Sequence, residues 1–178
     1  MYNNKSALTI KTDRLFIRVV DRNDYNDYYK FCSNPNVCKY LTFNPYKNIF
    51  QAKRAIDNMI RAYIQGSDVN FSIIYSNENK VIGSISIAFK SNNIGEIGYI
   101  LDESYWNNKI MDEALKAVIR VCKEYYSLNA LTASYIIENI ASEKLLFRNG
   151  FNIYETTKCG LIKNDRCYDL NKVVLYLN

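Results

Sequence analysis

One stretch constrains the fold of this chain more than any other. Glu96 to Leu101 reads as a strand, and a polar loop follows it. Met111, Ala114, Leu115, Val118, Ile119 and Cys122 then fall on one stripe at helical spacing, and Leu131 to Ile137 reads as a second strand. A strand, a helix and a strand in that order make a crossover unit, which pairs its strands in parallel under the helix. Asp112 and Glu113 sit in the helix's first turn, where the dipole favours negative charge, and Asn107 or Asn108 can cap it.

The rest of the chain is arranged around this unit. Leu15 to Val20 is a short apolar strand, and Tyr25, Tyr28, Tyr29 and Cys32 recur at helical spacing after a polar start at Asp21 to Asp24. Ser33 to Lys47 holds both prolines and reads as loop with one turn of helix. Ala52 to Tyr63 is an amphipathic helix ending near Gly66. Phe71 to Tyr75, the alternating run around Ile85, Ile87 and Phe89, and Glu96 to Leu101 form an antiparallel meander. Asn139 to Arg148 is a helix stopped by Asn149 and Gly150, and strands at Phe151 to Thr157 and Lys172 to Leu177 are joined by a polar loop from Lys158 to Asp169. The class is α+β, with a mixed central sheet of about six to seven strands flanked by about four helices. No composition shift divides the chain, so residues 1–178 are expected to form one domain.

Composition removes several functions. The chain has no histidine, which excludes Ser-His-Asp and Cys-His catalysis and leaves carboxylates, lysines, tyrosines, cysteines or water as bases. Five cysteines without a CxxC pair suggest neither a disulfide framework nor a zinc site, and no metal is expected. The net charge of +5 is spread out, without a nucleic-acid motif. No apolar run has the length of a membrane span, and the N-terminal MYNNKSALTIKTDR has no signal-peptide core, so the expected location is cytoplasmic.

Two stretches, EIGYILDESYWNNKIMDEALKAVI and ENIASEKLLFRNGF, with the opening KTDRLFIR, resemble the GNAT N-acetyltransferases, and among them the RimJ/RimL type. The resemblance covers nearly the whole chain. It implies a GNAT fold in which two neighbouring parallel strands splay apart to hold acetyl-coenzyme A (acetyl-CoA). It also implies a loop leading into a helix N-terminus whose free amides bind the pyrophosphate. That loop falls on Trp106, Asn107, Asn108, Lys109, Ile110 and Met111, with Asp112 beside it. Asn107 and Lys109 stand where glycines are usual. Asn tolerates a left-handed backbone. Lys109 has three open outcomes: a cation meeting the pyrophosphate, a Cβ that crowds it, or a side chain in solvent.

The resemblance also assigns roles. Glu96 matches a strand glutamate that serves as base, the competing reading being a glutamate paired on the sheet surface. Ile100 and Leu101 should run beside the pantetheine arm, with a bulge nearby freeing their backbone groups. Asn139 matches an asparagine near that arm, or is simply a helix cap. Many relatives place a tyrosine at the position of Leu146 as proton donor to the thiolate, so here three routes are open: Ser142, one of the 16 tyrosines, or protonation without a side-chain donor, directly or through water.

The function implied is transfer of an acetyl group from acetyl-CoA to a primary amine of a protein N-terminus, a polyamine or a small molecule, by direct attack in a ternary complex. The alternative is a catalytically weak module that binds CoA or a partner protein. The partner expected is an amine-bearing acceptor, with no nucleic acid or membrane, and the chain is expected to be a monomer or homodimer.

Overall fold

Period-two patterning builds a mixed sheet of eight strands in this computed structural model, which describes residues 8–177. Residues 1–7, where the stretch read for a signal peptide begins, and residue 178 lie outside the described residues. The order across the sheet is β1 (Thr9–Lys11), β2 (Leu15–Val19), β3 (Asp68–Tyr75), β4 (Lys80–Lys90), β5 (Ile94–Leu101), β6 (Ala130–Ile136), β8 (Arg166–Tyr176) and β7 (Asn152–Lys163). Neighbours are antiparallel except β5 and β6, which run parallel. The α+β class and mixed sheet are as expected.

Two departures enlarge the sheet. β1 is an edge strand too short to show any periodicity. The supposed loop from Lys158 to Asp169 is the end of a long β7–β8 hairpin, turned by Asn164 and Asp165 with φ of 50° and 59°. Two consecutive left-handed residues make the turn whose twist matches that of the flanking strands. Most of β7 is exposed, so no apolar alternation marks it in the sequence. Cys159 and Cys167 are joined across this hairpin, a local link the odd cysteine count did not suggest. Cys32, Cys38 and Cys122 are free and buried.

Helices cover both faces. On one, α4 (Ile110–Glu124) buries Ile110, Ala114, Leu115, Val118 and Cys122 against Ile85, Ile87 and Ile97. α5 (Ile140–Arg148) adds Leu146 on this side. On the other face, α1 (Tyr25–Cys32) and α3 (Ile49–Gln65) bury Tyr28, Phe31, Ala52 and Ile56 against Val20, Ile74 and Val81. The single turn α2 (Pro35–Cys38) is capped by Asn34 and started by Pro35, whose missing N–H is not needed there. No helix among the described residues is long and apolar enough to cross a membrane.

One contact ties the start of the chain to its middle. The Glu113 carboxylate accepts from Thr12 Oγ1 at 2.5 Å, from the Arg14 amide at 3.0 Å and from Arg14 Nε at 2.7 Å. Arg14 also donates to the Asn108 carbonyl at 3.0 Å. Burial alone would raise the Glu113 pKa. The bonds from Thr12 and Arg14 outweigh it and hold the carboxyl below its ordinary value of 4.5. A depressed pKa means the ionised form is favoured by folding. This stabilisation is full above the unfolded value and is lost as pH falls through the folded one. Glu113→Gln should therefore lower the melting temperature at pH 7 by roughly 4–8 °C, for a loss of about 2 kcal/mol. The gap to the parent protein should narrow progressively in melts recorded at pH values below 4.5.

Candidate active site

The site begins where two strands part. β5 and β6 are paired only from Ile94 opposite Ala130 to Glu96 opposite Thr132. Beyond Glu96, β5 continues against β4 alone and β6 against β8 alone. The opening is part of a cleft of about 760 Å³. The β4–β5 ladder runs in register from Gly83 opposite Leu101 to Lys90 opposite Ile94. The bulge expected near Ile100 is therefore not there. The parting of the strands, not an extra residue, leaves the β6-facing groups of β5 without a strand partner. The Leu101 carbonyl is already engaged, accepting from Trp106 Nε1 at 2.9 Å.

Next comes the loop into α4. Asn107 has φ 61°, and Lys109 has φ 58° and ψ 18°. Both positions where glycines are usual are thus left-handed, although neither residue is glycine. Lys109, rather than Asn107 or Asn108, is the residue preceding the helix, and no side chain caps it. A side-chain cap requires an extended backbone at that position, which the left-handed turn denies. A left-handed residue followed by a right-handed one points successive amides into a shared concavity that suits an anion. Helix geometry leaves the amides of Ile110, Met111 and Asp112 without intrahelical acceptors, adding the positive end of the dipole.

Of the expected cofactor residues, Ile100, Leu101, Trp106, Asn107, Lys109, Ile110, Met111, Asp112 and Asn139 all line the cleft. Asn108 does not. Its side chain donates to the Trp106 carbonyl at 3.0 Å and its own carbonyl is held by Arg14. Lys109, Lys144 and Arg148 give this end of the cleft a positive rim. Asp112 is turned aside, accepting from Lys116 Nζ and Asn149 Nδ2, each at 2.8 Å. Burial pushes its pKa up, but those partners outweigh burial and keep it ionised.

The opposite wall carries residues of the segment from Ser33 to Lys47, read from the sequence as loop with one turn of helix. Asn36, Tyr40 and Leu41 line it. Glu103 Oε2 accepts from Asn34 Nδ2 at 2.8 Å, and Glu103 Oε1 accepts from Asn36 Nδ2 at 3.0 Å. From the hairpin tip, Lys163 Nζ donates to the carbonyls of Cys38 at 2.6 Å and Leu41 at 2.9 Å. This wall is therefore fastened at both ends.

The remaining residues cluster at the splay. Glu96 is the last paired residue of β5 there and is 3.0 Å from Lys90 Nζ, with 43% of its side chain exposed. It does not line the cleft. An ion pair this exposed is worth little and restrains the carboxylate weakly. Asn139 caps α5, its Oδ1 accepting from the Ser142 amide at 3.2 Å. Ser142 is buried and lines the cleft, and its hydroxyl is 2.6 Å from that of Tyr99. Leu146 is fully buried in the core. Tyr99 was not singled out by sequence. The signal lay in strand alternation, which puts Tyr99 on the face of Ile97 and Leu101, opposite to Glu96.

The left-handed Lys109 has a measurable cost. Glycine there would relieve about 1–2 kcal/mol of strain and add somewhat under 1 kcal/mol of unfolded-chain entropy. Lys109→Gly should leave the ligand-free protein as stable as the parent or more stable by up to about 1 kcal/mol in chemical denaturation.

Comparison with known proteins agrees with this geometry. A family model described as "Acetyltransferase (GNAT) domain" matches residues 14–152. The chain is 30% identical over 158 residues to the uncharacterized N-acetyltransferase p20 of Bacillus licheniformis, covering 88% of this chain and 86% of that one. It is 32% identical over 96 residues to the ribosomal-protein-serine acetyltransferase of Escherichia coli, covering 53% and 54%. Among solved structures, RimL, a ribosomal L7/L12 alpha-N-protein acetyltransferase in complex with coenzyme A, superposes with a TM-score of 0.88 at 20% identity, covering 96% of this chain and 98% of that one. A GNAT-family acetyltransferase from Bacillus anthracis gives 0.86 at 20% identity, covering 96% and 99%. With the family match spanning the parted strands, the left-handed loop and the helix behind it, this chain belongs to the GNAT N-acetyltransferase family and is an acyltransferase.

Proposed function

We propose that this chain transfers the acetyl group of acetyl-CoA to the free α-amine of a protein N-terminus, by direct attack in a ternary complex. The parted β5–β6 pair opening beside the uncapped N-terminus of α4 carries the reading. The positive rim of Lys109, Lys144 and Arg148 fits an anionic cofactor, and the turned-aside Asp112 leaves the amides open to it. The choice of a protein amine rests on the likeness to RimL and to the ribosomal-protein-serine acetyltransferase.

In this reading the amides of Ile110, Met111 and Asp112 bind the pyrophosphate, with Trp106, Asn107, Asn108 and Lys109 shaping the loop. Ile100, Leu101 and Asn139 flank the pantetheine arm. Glu96 takes the amine's proton through water as the new C–N bond forms and the C–S bond breaks. Ser142 gives a proton to the departing thiolate. The hydroxyl at Ser142, in the cleft lining, supports turnover over a module that only binds CoA.

Thiol release and mass spectrometry would test this with acetyl-CoA and a panel of amines. The panel would comprise peptides with free and with blocked N-termini, a polyamine and an aminoglycoside. Acetylation of the free N-terminus alone is expected, whereas a preference for the polyamine or aminoglycoside would overturn the acceptor assignment. Glu96→Gln should lower kcat by about 100-fold near neutral pH. The deficit should narrow in alkaline buffer, where the amine is deprotonated in solution, and an unchanged rate would leave Glu96 as a partner of Lys90 only.

A further inference from the structure

The family resemblance leaves the proton donor open, since Leu146 occupies the usual tyrosine position and is sealed in the core. Hydroxyls placed at the splay are therefore decisive. Among the described residues, Tyr99 and Ser142 bring two together at 2.6 Å, and both line the cleft. They come from opposite sides of the parted strands. Tyr99 is on β5, beyond its last pairing with β6, and Ser142 is in the first turn of α5 after β6.

We propose that Tyr99 is the positioning residue that makes Ser142 a proton donor, by donating its own hydroxyl hydrogen to Ser142 Oγ. This rests on the acetyl-transfer reading above. A serine hydroxyl has one hydrogen and two lone pairs. If Ser142 donated to Tyr99, it would have nothing left for a thiolate. A phenol is far more acidic than an alkanol and is the stronger donor of the two, so the hydrogen bond runs from Tyr99 to Ser142. The Ser142 hydrogen is then directed away from Tyr99. The Asn139 cap fixes the start of the helix that carries Ser142.

Burial pushes the Tyr99 phenol up to about 12, with the Ser142 hydrogen bond opposing this, so it stays protonated across working pH. The step balances. The amine nitrogen bonds to the acetyl carbon and loses one proton to water and Glu96. The C–S bond breaks, and the sulfur takes the Ser142 hydroxyl proton. Ser142 recovers a proton from Tyr99, which is reprotonated from solvent in turn. Glu96 and Tyr99 point to opposite faces of β5, so the amine's proton leaves the cleft through water to reach Glu96, while Ser142 acts inside it.

A double-mutant cycle tests the assignment, using wild type, Tyr99→Phe, Ser142→Ala and the pair with acetyl-CoA and an N-terminal peptide. Tyr99→Phe is expected to lower kcat roughly tenfold. The acceptor KM and the calorimetric Kd for CoA should stay within about twofold, because the ring and the cleft wall remain. The double variant should be no slower than Ser142→Ala alone, since Tyr99 acts only through that hydroxyl. Ser142→Thr, which keeps the hydroxyl, should retain the sensitivity to Tyr99→Phe. Wild-type kcat in Tyr99→Phe, or fully additive losses, would overturn this inference alone. Absence of turnover by wild type on any amine would overturn the acetyl-transfer reading beneath it. Should Tyr99→Phe not fold, 3-fluorotyrosine at position 99 keeps the size and acidifies the phenol. An unchanged kcat in that protein would also overturn the proposal.

Discussion

The loop side of the cleft depends on one buttressed carboxylate. Glu113 gathers Thr12, the Arg14 amide and the Arg14 guanidinium, while Arg14 reaches on to the Asn108 carbonyl. The two residues are 99 positions apart. The loop between Trp106 and Ile110 has few restraints of its own, and two of its residues hold a backbone shape they do not prefer. A strained turn persists only when its surroundings over-determine it. Arg14 and Glu113 supply that determination, one from the strand side and one from the helix. Lys109 and Asn107 can thus stand in for glycines without the loop collapsing to a right-handed path.

Much of this could be read in the sequence, for physical reasons that vary by element. The crossover from Glu96 to Ile137 was legible because its helix carries a clean apolar stripe and its strands lie in the core. The positions of the loop residues followed from the resemblance to the GNAT acetyltransferases. The conformation of Lys109 did not, because a lysine gives no sign of a left-handed backbone. The ends of the sheet were obscured for another reason. β1 has three residues, and β7 faces solvent on nearly every position, so burial imprints no alternation on either. Tyr99 was hidden by abundance: among 16 tyrosines, one on a strand looks like packing until Ser142 is placed beside it. Thr12 and Arg14 were visible only as part of a family-like opening, and their partner was not.

A chain without histidine must divide acid and base work among less versatile groups. Here a carboxylate and a pair of hydroxyls stand near the same parting of strands, on opposite faces of β5. The strand itself insulates one from the other.

The attachment of Lys163 to the carbonyls of Cys38 and Leu41 has a consequence in time. These contacts close loops of 125 and 122 residues. Long closures carry a large entropy cost and form after local structure has made them cheaper. During synthesis the loop between Trp106 and Ile110 and its buttress, all within the first 124 residues, emerge well before the hairpin that fastens the wall of Asn36, Tyr40 and Leu41. The residues of that wall are therefore made early and fastened last.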